Sequence, residues 1–339
     1  MKLSGKIVIF GTILLFLFGC SKESHKNLAS KPEEHRLKVY ASVYPMYDFA
    51  QKIGGEKIDL ELIVPSGQEP HNWEPGQQDI KKLEKGDLFI YNGAGLEHWI
   101  DKVIASLDNQ NLTVIEASKG IELIGPQHRD SNEDSAHNRK EEHQDNHNHK
   151  HEAEEDHSQG HHHDHKNIDP HVWLSPVNAK LELENIKNAL VEADPKHKAY
   201  YEQNYQKYGE AFDELDQEYR KQLMNVEEKT IVVSHEAFGY LCREYGLQQM
   251  GIEGINAETE PDAKTMAKII DFVKSKGITT IFTEELMDPK IAETIAKETG
   301  AVTSVLSPLE GRSQDQIDKN SDYIEIMKEN LENLRTALQ

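Results

Sequence analysis

Cysteine is nearly absent from this chain. Only Cys20 and Cys242 occur among 339 residues, so once Cys20 is consumed near the N-terminus no internal disulfide can form. Stability must then come from a hydrophobic core. Basic charge is also scarce, with 38 Lys and Arg against 60 Asp and Glu and a formal net charge of −22. That balance repels nucleic-acid phosphates and attracts cations. Between Gln127 and Lys166 large apolar side chains almost vanish, leaving nothing to offset the conformational entropy of ordering that stretch. The apolar run Ile7 to Phe18 is too short for a spanning helix of roughly 20 residues.

What is present at the N-terminus defines an exported protein. Lys2 and Lys6 precede the apolar run, the pattern of a signal peptide. It ends in Leu17-Phe18-Gly19-Cys20, which resembles a bacterial lipobox with a bulkier Phe18 than usual, and which makes Cys20 the lipidation site. Residues 1–20 therefore read as a lipoprotein signal peptide and 21–36 as a polar tether to the membrane. Folding is expected to start near Leu37. Cys242, in the helix-like stretch Glu236 to Tyr245, reads as a small buried hydrophobe.

From there strands and helices alternate. Strands are expected at Leu37–Val43, Lys57–Val64, Asp87–Tyr91 and Thr113–Glu116, with helices at Pro45–Ile53, Gln77–Glu84 and Glu97–Leu107. Helices at Pro176–Glu192 and from Asp194 to about Asn225 follow, the second carrying Tyr201, Tyr205, Tyr208, Phe212, Leu215 and Tyr219 at helical spacing. At 1.5 Å per residue that helix would reach about 45 Å, enough to link two lobes. The theme then repeats, with strands at Thr230–Val233, Leu247–Ile252, Thr279–Phe282 and Val302–Leu306. Helices are expected at Ala237–Tyr245, Asp262–Lys276, Pro289–Thr299 and Gln314–Leu338. The organisation expected is an N-terminal α/β lobe over 37–175 interrupted by a disordered insertion at 127–166, helices over 176–228, and a C-terminal α/β lobe over 229–339.

Histidine is the residue in excess. Eleven of eighteen fall between His128 and His165, and imidazole, with a pKa near ~6.5, offers a neutral lone pair to zinc at neutral pH. His143, His147, His149, His151, His157, His161, His162, His163 and His165 are read as weak, interchangeable collectors of metal, kept solvated by Glu152, Glu154, Glu155 and Asp156. The plainer reading is a polar surface insertion with no specific role.

Four other residues sit where loops leave the carboxyl ends of strands, the place where parallel α/β sheets gather ligands. They are His71 in Gln68-Glu-Pro-His-Asn-Trp-Glu-Pro75, His171 in Ile168-Asp-Pro-His-Val-Trp-Leu-Ser-Pro176, His235 after Ile231-Val-Val-Ser234, and Glu310 after Val302 to Leu309. Three nitrogens and a carboxylate suit tetrahedral zinc. Pro70 and Pro170 restrict the backbone before two of the histidines. Ser234 is expected to cap a helix, placing His235 at a positive helix end that keeps its ring neutral. His98 and His197 are read as exposed. The fourth donor stays open, since Glu284 and Glu285 follow the strand ending at Phe282 and water is a further alternative.

With these motifs the chain resembles the zinc-binding lipoproteins of bacterial ABC importers, of the ZnuA or AdcA type within the cluster A-I metal solute-binding proteins. The resemblance runs from about Leu37 to the C-terminus and rests on Glu-Pro-His71-Asn-Trp-Glu-Pro, Asp-Pro-His171-Val-Trp-Leu-Ser-Pro, Ser-His235-Glu-Ala-Phe-Gly-Tyr and Leu-Ser-Pro-Leu-Glu310. It implies two α/β lobes with parallel sheets bridged by one long helix, with the metal in the interlobe cleft. It also implies a monomer that captures Zn2+ outside the cytoplasm and delivers it to an ABC permease. Manganese-binding and adhesin-type relatives share that fold, and His235 in place of a carboxylate favours zinc over manganese. A zinc hydrolase is the competing class. Against it, His235-Glu236 lacks a second histidine at the His-Glu-x-x-His spacing, and Gly93-Ala-Gly95 is too short for a dinucleotide loop. No enzyme is expected.

Overall fold

Short runs of Val, Ile, Leu and Phe punctuated by Gly and Pro form strands, and the central ones, around Val39, Phe89, Val232 and Ile281, are buried on both faces, which favours parallel sheets covered by helices. The structure, a computed structural model, describes residues 36–125, 168–256 and 260–339. Cys20, the signal peptide and the histidines from His128 to His165 lie outside those residues.

The first lobe runs β1 (Leu37–Ala41), α1 (Tyr44–Gly54), β2 (Ile58–Leu62), α2 (Gln77–Leu83), β3 (Leu88–Tyr91), α3 (Ile100–Ser106) and β4 (Thr113–Glu116). Then come α4 (Pro176–Ala193) and α5 (Lys198–Leu223). The second lobe runs β5 (Thr230–His235), α6 (Gly239–Tyr245), β6 (Gln248–Glu253), α7 (Ala263–Lys276), β7 (Thr280–Thr283), α8 (Lys290–Thr299), β8 (Val302–Val305), α9 (Gln314–Asp318) and α10 (Tyr323–Ala337). The sheets are ordered β2-β1-β3-β4 and β6-β5-β7-β8, and every pairing is parallel. Both therefore reverse their winding beside the first strand, between β1 and β3 and between β5 and β7, where a crevice opens at the carboxyl ends.

Three hydrophobic clusters hold this arrangement. One lies on the outer side of each sheet, around Phe89 and Trp99 in the first lobe and around Ile281 and Ile295 in the second. The third belongs to both lobes. It joins Val39 and Phe49 to Val233 and Leu241 through Leu183, Phe212 and Tyr219 on α4 and α5 and Tyr323 on α10. The long helix is thus packed against α4, α1 and α10 and does not cross open solvent. Hydrogen bonds run through the same layer: Tyr219 donates to the Met327 carbonyl at 2.6 Å and Tyr323 to the Trp173 carbonyl at 2.5 Å. Lys52 on α1 bridges Asp48 at 2.8 Å and Asp322, the N-cap of α10, at 2.7 Å.

Three of the differences from expectation have local causes in the helices. The long helix begins as a 3-10 turn at Pro195–His197, where His197 is half-buried and pairs with Asp194 at 2.6 Å, so it is not the exposed residue expected. The closing helix is two helices. Asn320 takes the left-handed conformation at φ 53, and Asp322 starts α10 with a capping box completed by Glu325. Helix α3 starts three residues late because the Glu97 side chain turns back into the loop before it. Gly93, Ala94 and Gly95 all have positive φ, which folds the chain so that Glu97 accepts from the Asn92 and Gly93 amides at 2.8 and 3.0 Å. That turn accounts for the two glycines without a nucleotide.

Candidate metal centre

The crevices of the two lobes face one another, and four loop residues meet there. His71, His171, His235 and Glu310 offer ligand atoms within 4.8 Å of one another, all buried. The Nε2 atoms of His71 and His171 are 3.1 Å apart and those of His171 and His235 are 3.3 Å apart. Glu310 Oε1 lies 2.9, 2.8 and 3.5 Å from His71, His171 and His235. A tetrahedral ion about 2.0–2.1 Å from each donor requires donor–donor edges of roughly 3.3 Å. These distances span that value.

Each donor is held by a different local device. In Glu69-Pro70-His71 and Asp169-Pro170-His171 the acid two residues earlier accepts from the histidine amide, at 3.0 and 2.9 Å. The proline between them fixes the turn. Asp169 goes further and accepts from the Nδ1 of His171 at 2.8 Å, leaving Nε2 as the lone-pair nitrogen. His235 ends β5, and Glu284, at the end of β7, takes its Nδ1 at 2.8 and 2.9 Å and its amide at 3.2 Å. Ser234 does not cap a helix. Its hydroxyl donates to the Phe282 carbonyl at 3.3 Å, and α6 starts only at Gly239, so no helix end lies at His235 and a carboxylate orients the ring instead. Glu310 follows Leu309, a buried residue with φ 57, a conformation that costs an L-residue roughly 1–2 kcal/mol. Asn330 on α10 stabilises it by clamping both the amide and the carbonyl of Ser307 at 2.8 Å. Trp173 ties two of these loops together, its Nε1 donating to the Pro308 carbonyl at 2.8 Å.

The charges reinforce one another. Burial lowers the pKa of His171 and His235, but Asp169 and Glu310 outweigh it at the first and Glu284 and Glu310 at the second, so His171 titrates above its ordinary range and His235 well above it. Burial raises the Glu310 carboxyl, yet the three imidazoles hold it well below the usual range. Three lone pairs and a carboxylate converging on one point call for a positive charge at their centre, either protons or a metal ion.

Among the open fourth donors, Glu310 is the one within the cluster. Glu284 stands behind His235, and Glu285 accepts from Gln316 at 2.7 Å. His98 is exposed, 3.6 Å from Glu74, and Cys242 is buried in α6 with its thiol pushed up by burial. Asp169 and Glu284 act as orienting partners, a role not expected of either from sequence, where Glu284 stands only as an alternative ligand. The repeated acid-Pro-His spacing was a signal for the first, whereas Glu284 is 49 residues from His235 and carries no local signature. Beside His71 opens a cavity of about 590 Å³, lined among others by Tyr91, Glu116, Leu123, Ile168 and Asn256.

Two similar α/β lobes closing on a shared imidazole–carboxylate cluster define a metal-ion-binding protein of the solute-binding class. The chain belongs to the family described as zinc-uptake complex component A, periplasmic, which it matches over residues 39–337. It is 40% identical over 337 residues to the high-affinity zinc uptake system protein ZnuA of Bacillus subtilis, covering 99% of this chain and 98% of that one. It is 34% identical to the zinc-binding protein AdcA of Streptococcus pyogenes, covering 97% of this chain but only 61% of AdcA. Among solved structures, the Zn(II)-bound ZnuA-like domain of Streptococcus pneumoniae AdcA superposes with a TM-score of 0.71 at 30% identity, over 90% of this chain and 99% of that domain. The laminin-binding protein Lmb of Streptococcus agalactiae, described as bifunctional with adhesin and metal-transporting activity, gives 0.73 at 33% identity, over 90% and 100%.

Proposed function

We propose that this protein captures Zn2+ outside the cytoplasm and hands it to the permease of an ABC importer, with His71, His171, His235 and Glu310 as the four ligands. The observation that carries this reading is the set of donor separations from 2.8 to 3.5 Å, the edges of a tetrahedron of zinc size. Nitrogen donors at three corners favour zinc over manganese, which prefers oxygen. All four corners are protein donors, so no position is left for the reactive water of a catalytic zinc. The chain therefore acts by binding alone, as a monomer held to the membrane by an acyl chain on Cys20.

The histidines from His128 to His165 act as a weak collector. Leu123 and Ile168, which flank that stretch of sequence, both line the cavity beside His71, and tethering near a site raises the local ion concentration. A second role in adhesion is favoured by the likeness to Lmb; binding of immobilised laminin by the purified protein, or its absence, decides it. The main reading is tested by calorimetric titration with zinc and an anomalous-scattering map at the zinc edge. One tight equivalent centred on the four residues is expected, and an ion placed elsewhere would sink the assignment.

A further inference from the structure

Eleven residues beyond His171, on the buried face of α4, Glu182 is wholly enclosed and neither of its carboxylate oxygens has a hydrogen-bond partner. Two more buried polar atoms without a partner are the Asn178 amide nitrogen, one helical turn earlier on α4, and the amide oxygen of Asn92, whose backbone amide bonds the same Glu97 that acts on Glu182. The orphans are complementary, since a neutral carboxylic acid both donates and accepts. None of the three bonds another directly, so a neutral acid could accept from Asn178 at its carbonyl oxygen and donate towards Asn92 from its hydroxyl only across intervening water. An ionised carboxylate could do only the first and would stand uncompensated in the core.

The neighbourhood argues the same way. Glu97, which already accepts from Ser42 at 2.6 Å and from the Asn92 and Gly93 amides, acts electrostatically on Glu182 and opposes its ionisation. From α10 and α6 the groups facing it are the phenols Tyr323 and Tyr240, the latter also under the field of Asp169. No cation faces Glu182 among the described residues that act on it. Asn92 matters because its amide nitrogen donates to the Pro170 carbonyl at 3.0 Å, at the residue just before His171.

We infer that Glu182 is a neutral acid in the folded protein and, through ordered water, positions Asn92 and with it the loop that presents His171. It is a positioning residue, remote from the ion itself. The first half of this inference stands without zinc; the second rests on the proposed zinc site.

The test uses the full chain with Glu182→Gln and Glu182→Leu. Difference infrared spectra of the metal-free parent against Glu182→Gln should show, at neutral pH, the carbonyl stretch of one neutral carboxylic acid; loss of a carboxylate band instead overturns the inference. A raised folded pKa means the unfolded chain gives up a proton that the fold retains. The parent should therefore lose stability relative to Glu182→Gln as pH rises above the ordinary glutamate range, with a gap in Tm widening between about pH 5 and about pH 8. A gap independent of pH overturns it. Zinc affinity should be retained in Glu182→Gln and fall about 10-fold in Glu182→Leu, the scale of an outer-shell loss. If Glu182→Leu fails to fold while Glu182→Gln folds, a hydrogen-bonding group is required there, as inferred. A leucine variant that folds and binds zinc like the parent removes the positioning role. Failure of the parent itself to bind zinc would count against the proposed function and leave the infrared and pH results standing.

Discussion

The two lobes share one strand order and one reversal of winding, yet use the reversal for different ends. In the first, Ser42 lies three residues past Val39, which pairs with Leu88, and its hydroxyl donates to Glu97. In the second, His235 lies three residues past Val232, which pairs with Ile281, and its ring donates to Glu284. Both crevices hold a buried carboxylate that accepts hydrogen bonds from a side chain and from main-chain N–H. Where the side chain is serine, the result is a closed loop. Where it is histidine, a second nitrogen remains and points at the ion. One residue type at one position separates scaffold from site.

Substitutions at the two crevices should therefore fail in different ways. His235→Ala removes a donor and should weaken zinc binding more than ~100-fold, beyond the 10- to 100-fold effect of outer partners, as read by chelator competition. Ser42→Ala should leave affinity within about 3-fold and cost about 1–2 kcal/mol in chemical denaturation; comparable affinity losses in both would erase the distinction. Glu284→Gln should fall between them, losing about 10- to 100-fold in affinity, and where His235 holds its proton it should also lower the metal-free melting temperature, because Glu284 is the main group that raises the pKa of that ring. Glu97→Ala strands three donors and should be its mirror image, costing on the order of 3 kcal/mol with a smaller change in affinity.

Acid acts on the donors themselves, one from each lobe. His171 and His235 have raised pKa values in the metal-free fold, so below them the metal-free protein gains stability from holding their protons, a gain lost as pH rises through the folded values. Zinc needs both rings neutral. The rise in Tm on adding zinc at 100 times Kd, about 2.7 kcal/mol in free energy, should therefore shrink from about pH 8 to about pH 6, and a pH-independent rise would contradict the ligand set. The smallest effect is expected from deleting residues 128–166: the tight calorimetric step should persist and only additional weak equivalents should disappear. Loss of the tight step would mean that the deleted segment supplies a ligand.

Much of this was legible in sequence. Period and punctuation locate the strands, and β4 coincides with its expected range. The three histidines stand out because each follows a strand, two of them in acid-Pro-His turns. What escaped depends on distant groups. Whether Ser234 caps a helix or bonds Phe282 is decided by β7 lying alongside, and Glu284 finds His235 only when the sheet forms. The break before α10 was readable in Asn320-Ser-Asp322 followed by Glu325, but helical periodicity on either side masked it.

The shared inner cluster bears on how the molecule comes to exist at all. Residues of β1 and α1 finish their packing only against Phe212, Tyr219 and Tyr323, which leave the ribosome long afterwards. A chain halted after the first lobe would display an oily face with nothing to cover it. Each half is expected to be less stable alone than within the whole, and a chain in transit needs shielding until its last helix arrives.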